Sequence, residues 1–373
     1  MVQYFLKARR GDRIKNAVVG CAVLGLALMP ASVAARSKST SKSKNQGEVM
    51  VPELDIQGGR KLTFERAFSS ELEVKTKRGF WTRVLDIVAG EPDFHTLQGP
   101  YSAVSDSKDR IIVTDPAAGG IHIFDFPQQK YKFISRTKEK DGLDKPQCVA
   151  VDVADNIYAT DSESGKIFVF DPSGKFQRVI GSLKGGEGYF KRPTGIAVDS
   201  AAQRIYVTDT LRNQIFMLDM QGNILKTIGQ NGTGNGEFNF PTELRLHGDE
   251  LIVVDAMNFR VQVLDRSGNY RYSIGQLGEG RGQMFRPKGV GVDSEGHLYV
   301  VEGLSGLVQV FDHDGYLLYY FGQNGTGFGE FQLPNGLFID RNDRVMVVDS
   351  YNRRVQVFHY FGATNKQAEG VKQ

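Results

Sequence analysis

One type of proline recurs through most of the chain at an almost constant spacing. Its six copies are 46 to 48 residues apart, at Pro100, Pro146, Pro193, Pro241, Pro287 and Pro334. A period of this length is typical of a propeller or a solenoid, in which each repeat is one supersecondary unit that buries its faces against its neighbours. The repeat therefore restricts the fold before any single motif is considered.

The third repeat contains four short apolar runs, "GIAVD", "RIYVTD", "QIFMLD" and "NILKTIG". Each run alternates or is β-branched, and each is bounded by Asp, Gly or Asn, which predicts strands. We label these strands a to d. Four strands per repeat are the content of one propeller blade. The predicted fold is therefore all-β, a six-bladed β-propeller of four-stranded antiparallel blades. Tight D-x-x-G turns are predicted at Asp171–Gly174, Asp219–Gly222, Asp265–Gly268 and Asp312–Gly315.

Two glycine-rich strings, "NGTGNGEFNFP" (231–241) and "NGTGFGEFQLP" (324–334), lie between strand d of one repeat and strand a of the next. A phosphate-binding loop would be followed by Lys-Ser/Thr and a helix, whereas here a proline and a strand follow. We therefore interpret the strings as d–a connections between blades. An aromatic residue in each connection is expected to fill the gap between blades, the candidates being Phe190, Phe238, Phe285 and Phe331.

Residues 100–361 resemble the NHL-repeat family. The matching segments are "RPTGIAVD", "YVTD", "NFRVQVLD" (258–265), "SGLVQVFD" (305–312) and "NRRVQVF" (352–358), whereas the first repeat lacks the Asn-x-Arg step. The resemblance implies a six-bladed propeller. It does not imply one function, because this fold supports many.

The sixth repeat ends near Phe361 after strand c, so its strand d must come from elsewhere. Two N-terminal segments are candidates, "RKLTFERAF" (60–68) and "FWTRVLDIVAG" (80–90). The first alternates like a strand, whereas the apolar residues of the second recur with helical period. We expect 60–68 to close the ring and 80–89 to form a short amphipathic helix, both within an N-terminal extension covering 47–99.

The first 46 residues carry nine Lys/Arg and one acidic residue, a net charge of +8, whereas residues 47–373 carry −5. A basic stretch, a 13-residue apolar run (17–29) and small residues before position 36 predict a signal peptide over 1–35. A Ser/Lys-rich linker (36–46) follows, and 362–373 is expected to be a flexible tail. The predicted location is therefore periplasmic or secreted, in a bacterial cell envelope, with membrane attachment only if the signal stays uncleaved as an anchor.

Two sets of carboxylates recur with the repeat. Residues at the end of strand a are Asp106, Asp152, Asp199, His247, Asp293 and Asp340, and those at the end of strand b are Asp115, Asp161, Asp209, Asp255, Glu302 and Asp349. Asp at such positions usually caps a turn. The alternative is a calcium or zinc ion held by the strand a set at the mouth of the axial channel. His247 is the one histidine that the repeat places near the axis, so a three-histidine zinc site is not predicted.

Strand polarity places the b–c loops and the d–a connections on the same face. This face carries a set of cations, Lys166, Arg212, Arg260, Arg353 and Arg354 in the b–c loops, and Lys145, Arg192, Arg286 and Lys288 near the connections. They are either ordinary solvated surface or a candidate binding face for a protein or peptide partner or an anionic ligand. The export signal argues against nucleic acid as the ligand.

No G-x-S-x-G, HExxH or paired-cysteine motif occurs in the chain. The function predicted from sequence is that of a non-enzymatic, monomeric extracytoplasmic propeller without a cofactor, acting as a protein- or ligand-binding scaffold. The alternative is a metal-dependent propeller hydrolase or lyase with a carboxylate-held ion on the central axis.

Overall fold

The six repeats fold as six antiparallel sheets, the blades of a β-propeller. The computed structural model describes residues 53–74, 94–135 and 143–363. Five blades have four strands, and the sixth contains five because two N-terminal strands join it. The first strands of successive blades contact one another around a closed ring, which makes strand a the innermost strand of each blade. The predicted fold class is confirmed.

Two strands precede the repeats, β1 (Glu53–Ile56) and β2 (Arg60–Phe68). The first blade contains β3 (Ser102–Ser105), β4 (Ile111–Asp115), β5 (Gly120–Asp125) and β6 (Lys130–Ile134). The second contains β7 (Pro146–Val151), β8 (Ile157–Asp161), β9 (Lys166–Phe170) and β10 (Phe176–Ile180). The third contains β11 (Pro193–Asp199), β12 (Arg204–Asp209), β13 (Gln214–Asp219) and β14 (Ile224–Ile228).

The fourth blade contains β15 (Pro241–His247), β16 (Glu250–Asp255), β17 (Arg260–Asp265) and β18 (Tyr270–Ile274). The fifth contains β19 (Pro287–Val292), β20 (Leu298–Glu302), β21 (Leu307–Phe311) and β22 (Leu317–Phe321). The sixth contains β23 (Leu337–Ile339), β24 (Arg344–Asp349) and β25 (Arg354–Phe361), to which β2 and β1 are added. Short 3-10 turns occur at Gln57–Gly59, Glu71–Glu73 and Ala256–Asn258.

The predicted D-x-x-G turns connect strands c and d. In the turn of the second blade, Gly174 N donates to Asp171 O at 2.8 Å, and Asp171 Oδ1 accepts from the backbone of Ser173 and Lys175 at 2.8 and 2.9 Å. Gly174 has φ +76°, a left-handed conformation that favours glycine. Asp therefore satisfies the turn backbone and Gly supplies its geometry.

The hydrophobic core is divided among the spaces between blades. Each neighbouring pair of blades shares one cluster of buried apolar side chains, including the pair formed by the sixth and first blades. A blade alone would expose both of its apolar faces. Burial stabilises a fold by roughly 25 cal/mol per Å2 of apolar area, so the complete ring is the unit that this burial stabilises.

The residue three positions before each repeat proline fills the space between blades. It belongs to the inter-blade core in all six cases, as Leu97, Leu143, Phe190, Phe238, Met284 and Phe331. The prediction that Phe285 has this role is wrong. Phe285 is 41% exposed, whereas its neighbour Met284 is fully buried, because Phe285 is one residue out of register with the other aromatic residues.

The N-terminal strand β2 closes the ring, as predicted from its alternation. It pairs antiparallel with β25 from Lys61–Phe361 to Phe68–Val355, with one bulge near Phe64 and Arg66. It thus occupies the strand d position of the sixth blade, and β1 extends the sheet by one strand beyond it. The closure is noncovalent and joins the two ends of the repeat array.

Several expectations lie outside the described residues. These are the signal peptide (1–35), the linker (36–46), the helix at 80–89 and most of the tail (362–373). In the described segments, no helix has the length and apolar character that a membrane span requires.

Candidate binding face and axial cluster

The b–c loops and the d–a connections form one face of the propeller, as predicted, and we call it the upper face. The backbone joins them directly. Thr210 N in the third blade donates to Arg192 O at 3.0 Å, and Gly303 N in the fifth donates to Arg286 O at 3.0 Å. The a–b and c–d turns form the opposite, lower face.

The carboxylates at the end of strand b anchor the d–a connections. Asp209 accepts from the backbone of Lys191 and Arg192 at 2.8 and 3.0 Å, and Asp161 accepts from Asp144 and Lys145 at 2.6 and 2.8 Å. Asp115, Asp255, Glu302 and Asp349 accept from their own connections in the same way. This ring of carboxylates therefore fixes the start of each blade to its second strand.

The carboxylates at the end of strand a cap the a–b turns. Asp293 Oδ1 accepts from Glu295 N at 3.0 Å and from His297 N at 2.9 Å. Equivalent backbone contacts are made by Asp106, Asp152, Asp199 and Asp340. His247, in the sixth position of this set, is exposed. Among the residues that the structure describes, no group of three or more His, Cys, Asp or Glu side chains converges to hold a metal ion.

Several predicted binding-face cations make internal contacts instead. Arg260 Nε lies 2.9 Å from Asp255 Oδ2, and its Nη2 donates to Gly234 O at 2.7 Å and Glu237 O at 3.1 Å. Arg354 makes the same three contacts with the sixth blade's own residues. The Asn-x-Arg step thus holds the d–a connection, which explains its place in the repeat.

Lys166 is buried at the start of β9. Arg212 donates to Tyr189 O at 2.8 Å and lies over the Tyr189 ring at 4.7 Å. Lys145 is exposed and pairs with Glu163 at 2.8 Å. Arg212 and Lys145 therefore have partners within the chain, and the buried Lys166 is not a free charge either.

The remaining cations of the set are Arg192, Arg286, Lys288 and Arg353. Within the described part of the chain none of them forms an ion pair, and Arg192, Arg286 and Arg353 are exposed. Burial lowers the pKa of Lys288, and the charges of Arg286 and Arg192 lower it further. Arg192 and Arg286 directly precede the innermost strands β11 and β19, and Lys288 lies in β19. All three therefore lie where innermost strands begin on the upper face, and we call these three residues the basic mouth.

A buried ion pair lies below the basic mouth on the innermost strand of the fourth blade. Glu243 pairs with Arg245, and both side chains are buried. Arg245 Nη2 donates to Leu337 O of the sixth blade at 3.2 Å, and its guanidinium lies 5.6 Å from the Phe338 ring. Burial raises the pKa of Glu243 in spite of the adjacent Arg245.

Cys148, on the innermost strand of the second blade, is buried in the core cluster against which Tyr101 packs. We call Glu243, Arg245, Cys148 and Tyr101 the axial cluster, because each lies on an innermost strand or directly before one. Burial raises the pKa of the Cys148 thiol, and Glu243 raises it further. Burial also raises the pKa of Tyr101, with contributions from Cys148 and Glu243. A buried thiol with a raised pKa is a weak nucleophile, because the thiolate is the reactive form.

The sequence marks two residues of the axial cluster by a departure from the repeat. Strand a of the fourth repeat is "TELRLH", whereas that of the third is "TGIAVD". Charged residues thus replace small or apolar ones at two positions of an innermost strand. A charge that breaks a repeat at a core position is a functional signal, since buried charges are rare without a partner.

A separate groove lies at the rim between β1 and β22. Its volume is about 850 Å3, and Leu54, Ile56, Tyr319 and Phe321 contribute to its mostly apolar lining. His297 lines one part of it and has Nδ1 2.9 Å from Asp293 Oδ2, a contact that raises the His297 pKa. Sequence reasoning did not find this groove, because it depends on where the N-terminal strand lies.

Comparison with known proteins agrees with the fold. The DUF5128 family model, described as a 6-bladed beta-propeller, matches residues 136–207 and 197–246. No curated protein matches the chain. A solved streptogramin B lyase structure is 15% identical with a TM-score of 0.52, covering 71% of this chain and 94% of that one.

Two structures from Bacteroides thetaiotaomicron are similar at 14% identity and a TM-score of 0.55. One is a protein of unknown function, covering 71% of this chain and 70% of that chain. The other is an auxiliary nutrient binding protein, covering 71% of this chain and 69% of that chain. At these identities the likeness shows the propeller fold alone.

Proposed function

We propose that this chain is a non-enzymatic, monomeric binding propeller of the bacterial cell envelope. In this proposal, an anionic segment of a protein or peptide partner binds at the basic mouth on the upper face. The N-terminal charge and hydropathy pattern supports the location. The partner's chemistry follows from the cations that form no ion pair with any of the described residues.

One observation carries the proposal, the contrast between two kinds of cation on the same face. Arg260 and Arg354 are neutralised by Asp255 and Asp349 at 2.9 and 2.7 Å. Arg192, Arg286 and Lys288 have no such partner among the described residues, although Lys288 is half-buried. Clustered like charges in a partly desolvated site raise the local concentration of an opposite charge.

The metal-dependent hydrolase or lyase reading has less support. The carboxylates of strand a that it requires already accept backbone hydrogen bonds in their turns. A lyase of similar fold is known, but at 15% identity it carries no residue roles to this chain.

The test compares two triple variants. R192Q/R286Q/K288Q neutralises the basic mouth, and K108Q/K130Q/K175Q removes three exposed lysines from the lower face as a matched control. The probes are a fluorescent octa-glutamate peptide and its octa-glutamine counterpart. We expect wild type and the control variant to bind octa-glutamate at least tenfold more tightly than the mouth variant does, with binding that weakens as salt is added.

Equal binding of octa-glutamate by both variants, or equal binding of the two peptides by wild type, would reject the basic mouth as the site. A melting curve of each variant establishes that a loss of binding is not a loss of folding.

A further inference from the structure

The fourth and sixth blades contain the same internal guanidinium site. In the fourth blade, Arg260 contacts Asp255 Oδ2 at 2.9 Å, Gly234 O at 2.7 Å and Glu237 O at 3.1 Å. In the sixth, Arg354 contacts Asp349 Oδ2 at 2.7 Å, Gly327 O at 2.6 Å and Glu330 O at 2.9 Å. One carboxylate and two carbonyl oxygens thus bind each guanidinium.

The fifth blade keeps these acceptors but lacks the arginine. Its carboxylate is Glu302, and Leu307 stands where the repeat has Arg260 and Arg354. The d–a connections that lead into the fourth and fifth blades have the same backbone hydrogen bond. Glu237 N donates to Gly234 O at 3.2 Å, and Gln283 N donates to Gly280 O at 3.0 Å.

A glutamine side chain makes the same contact in both blades, which supports this correspondence. Gln309 Nε2 donates to Gln283 O at 2.8 Å, and in the fourth blade Gln262 Nε2 donates to Glu237 O at 2.6 Å. The carbonyls of Gly280 and Gln283 are therefore the counterparts of the two that bind Arg260.

A cavity of about 290 Å3 occupies this position in the fifth blade. Its lining includes Gly280, Gln283, Glu302 and Leu307, together with the acidic residue Glu279. A leucine side chain ends short of the place where an arginine would put its guanidinium. The cavity therefore includes the position that a guanidinium would take in the fifth blade.

Glu302 lacks the counter-charge that Asp255 and Asp349 have. It is 4% exposed and accepts from Phe285 N at 3.2 Å and from Arg286 N at 3.0 Å. Glu302 forms no ion pair with any described residue, and the contact with Arg286 is made by the Arg286 backbone N rather than by its guanidinium. Burial raises the pKa of Glu302 to about 7. A buried carboxylate without a cation is costly, and a guanidinium in the cavity would offset that cost.

We propose that this cavity binds a guanidinium group from another molecule, the arginine side chain of a protein or peptide partner. The partner's arginine takes the place of the one that the fifth blade lacks, with Glu302 and the carbonyls of Gly280 and Gln283 as its acceptors. The site uses none of the cations of the basic mouth, so it stands independently of the function proposed above.

The test uses small probes on the full chain. N-acetyl-arginine methylamide is titrated by calorimetry at pH 8 against its citrulline analogue, which has the same shape without the charge, and against its lysine analogue. We expect the arginine probe to bind at least tenfold more tightly than either analogue, because planar bidentate donors match this acceptor set. Glu302→Gln should weaken arginine binding at least tenfold.

A second variant keeps the test decisive if Glu302→Gln fails to fold. Leu307→Arg supplies the missing arginine from the chain, so it should abolish probe binding and raise Tm. Leu277→Arg, at an exposed position of the same d–a connection, is the matched control and should bind the probe as wild type does. The R192Q/R286Q/K288Q variant should also retain arginine binding, which separates this site from the basic mouth.

Equal affinity for arginine and citrulline probes would overturn the proposal. Unchanged probe binding by Leu307→Arg, or a lower Tm of that variant, would overturn it as well.

Discussion

Arg60 Nε lies 2.6 Å from Glu295 Oε2. The strand that closes the ring, β2, therefore has a side-chain ion pair with the fifth blade in addition to its strand pairing in the sixth. The same Glu295 carboxylate accepts from Tyr360 Oη at 3.0 Å and from Ala363 N at 2.8 Å. One side chain thus connects the N-terminal strand, the end of the repeat array and the a–b turn of a neighbouring blade.

Replacing Glu295 by glutamine should therefore lower the free energy of unfolding. We expect a loss of about 1 kcal/mol, because the hydrogen bonds are weakened and the partly exposed ion pair itself contributes little. The measurement is urea denaturation at pH 7. Glu163→Gln is the control, since Glu163 pairs only with the exposed Lys145 and its loss should leave the midpoint unchanged.

Phe68→Ala tests the closure through its core. Phe68 ends β2, is fully buried between the sixth and first blades, and lies 4.7 Å from the Phe124 ring centroid. Truncation should cost about 3–5 kcal/mol, the usual loss for a buried phenylalanine. Calorimetric unfolding would measure it. A loss no larger than that of Leu72→Ala, an exposed position in the same segment, would contradict closure by β2.

Gly289→Ala tests the contact between innermost strands. A Cβ at Gly289 would lie 2.4 Å from Leu337 N and 2.6 Å from Asn335 O, both backbone atoms of the sixth blade. The strands would have to separate, and we expect a loss of about 1–3 kcal/mol in stability. Ser102→Ala, at the same repeat position in the first blade, should be nearly neutral, because the buried Ser102 Oγ has no hydrogen-bond partner within the described residues. Equal effects of the two substitutions would refute this account.

The Glu302 carboxyl should make stability depend on pH. Its pKa is raised by burial from the ordinary 4.5 to about 7. Between pH 4.5 and about 7 the folded chain keeps the Glu302 proton that the unfolded chain releases. The protonated Glu302 carboxyl therefore contributes to stability at low pH, and this contribution is lost as pH rises towards 7.

Urea midpoints of wild type and Glu302→Gln, taken from pH 5 to pH 8, measure that contribution. We expect the stability of wild type relative to the variant to fall as pH rises from 5 to about 7, and to stay constant from there to pH 8. A difference that does not change with pH would show that Glu302 titrates normally.

The repeat array was predictable because its signals are local. Alternation of apolar residues, Asp-Gly turns and proline spacing define each strand from its immediate neighbours, and β2 was recognised at Arg60–Phe68 by the same alternation. The one misassigned core residue, Phe285, was an error of a single position in a connection that contains no strand. The NHL-repeat resemblance, the location and the partner stay predictions.

The sequence by itself determined the number of blades, the order of strands and the segment that closes the ring, since these follow from short-range patterning. Only the tertiary structure decided which charges are free. Arg260 and Arg286 look alike in sequence, yet one is bound to Asp255 and the carbonyl of Gly234 while the other has no ion pair among the described residues. The cavity beside Glu302 likewise depends on groups more than 20 residues apart, Gly280 and Leu307, which come together only when the blade folds. The energy of a charge is set by its surroundings in space, and those surroundings are long-range contacts that local patterns do not specify.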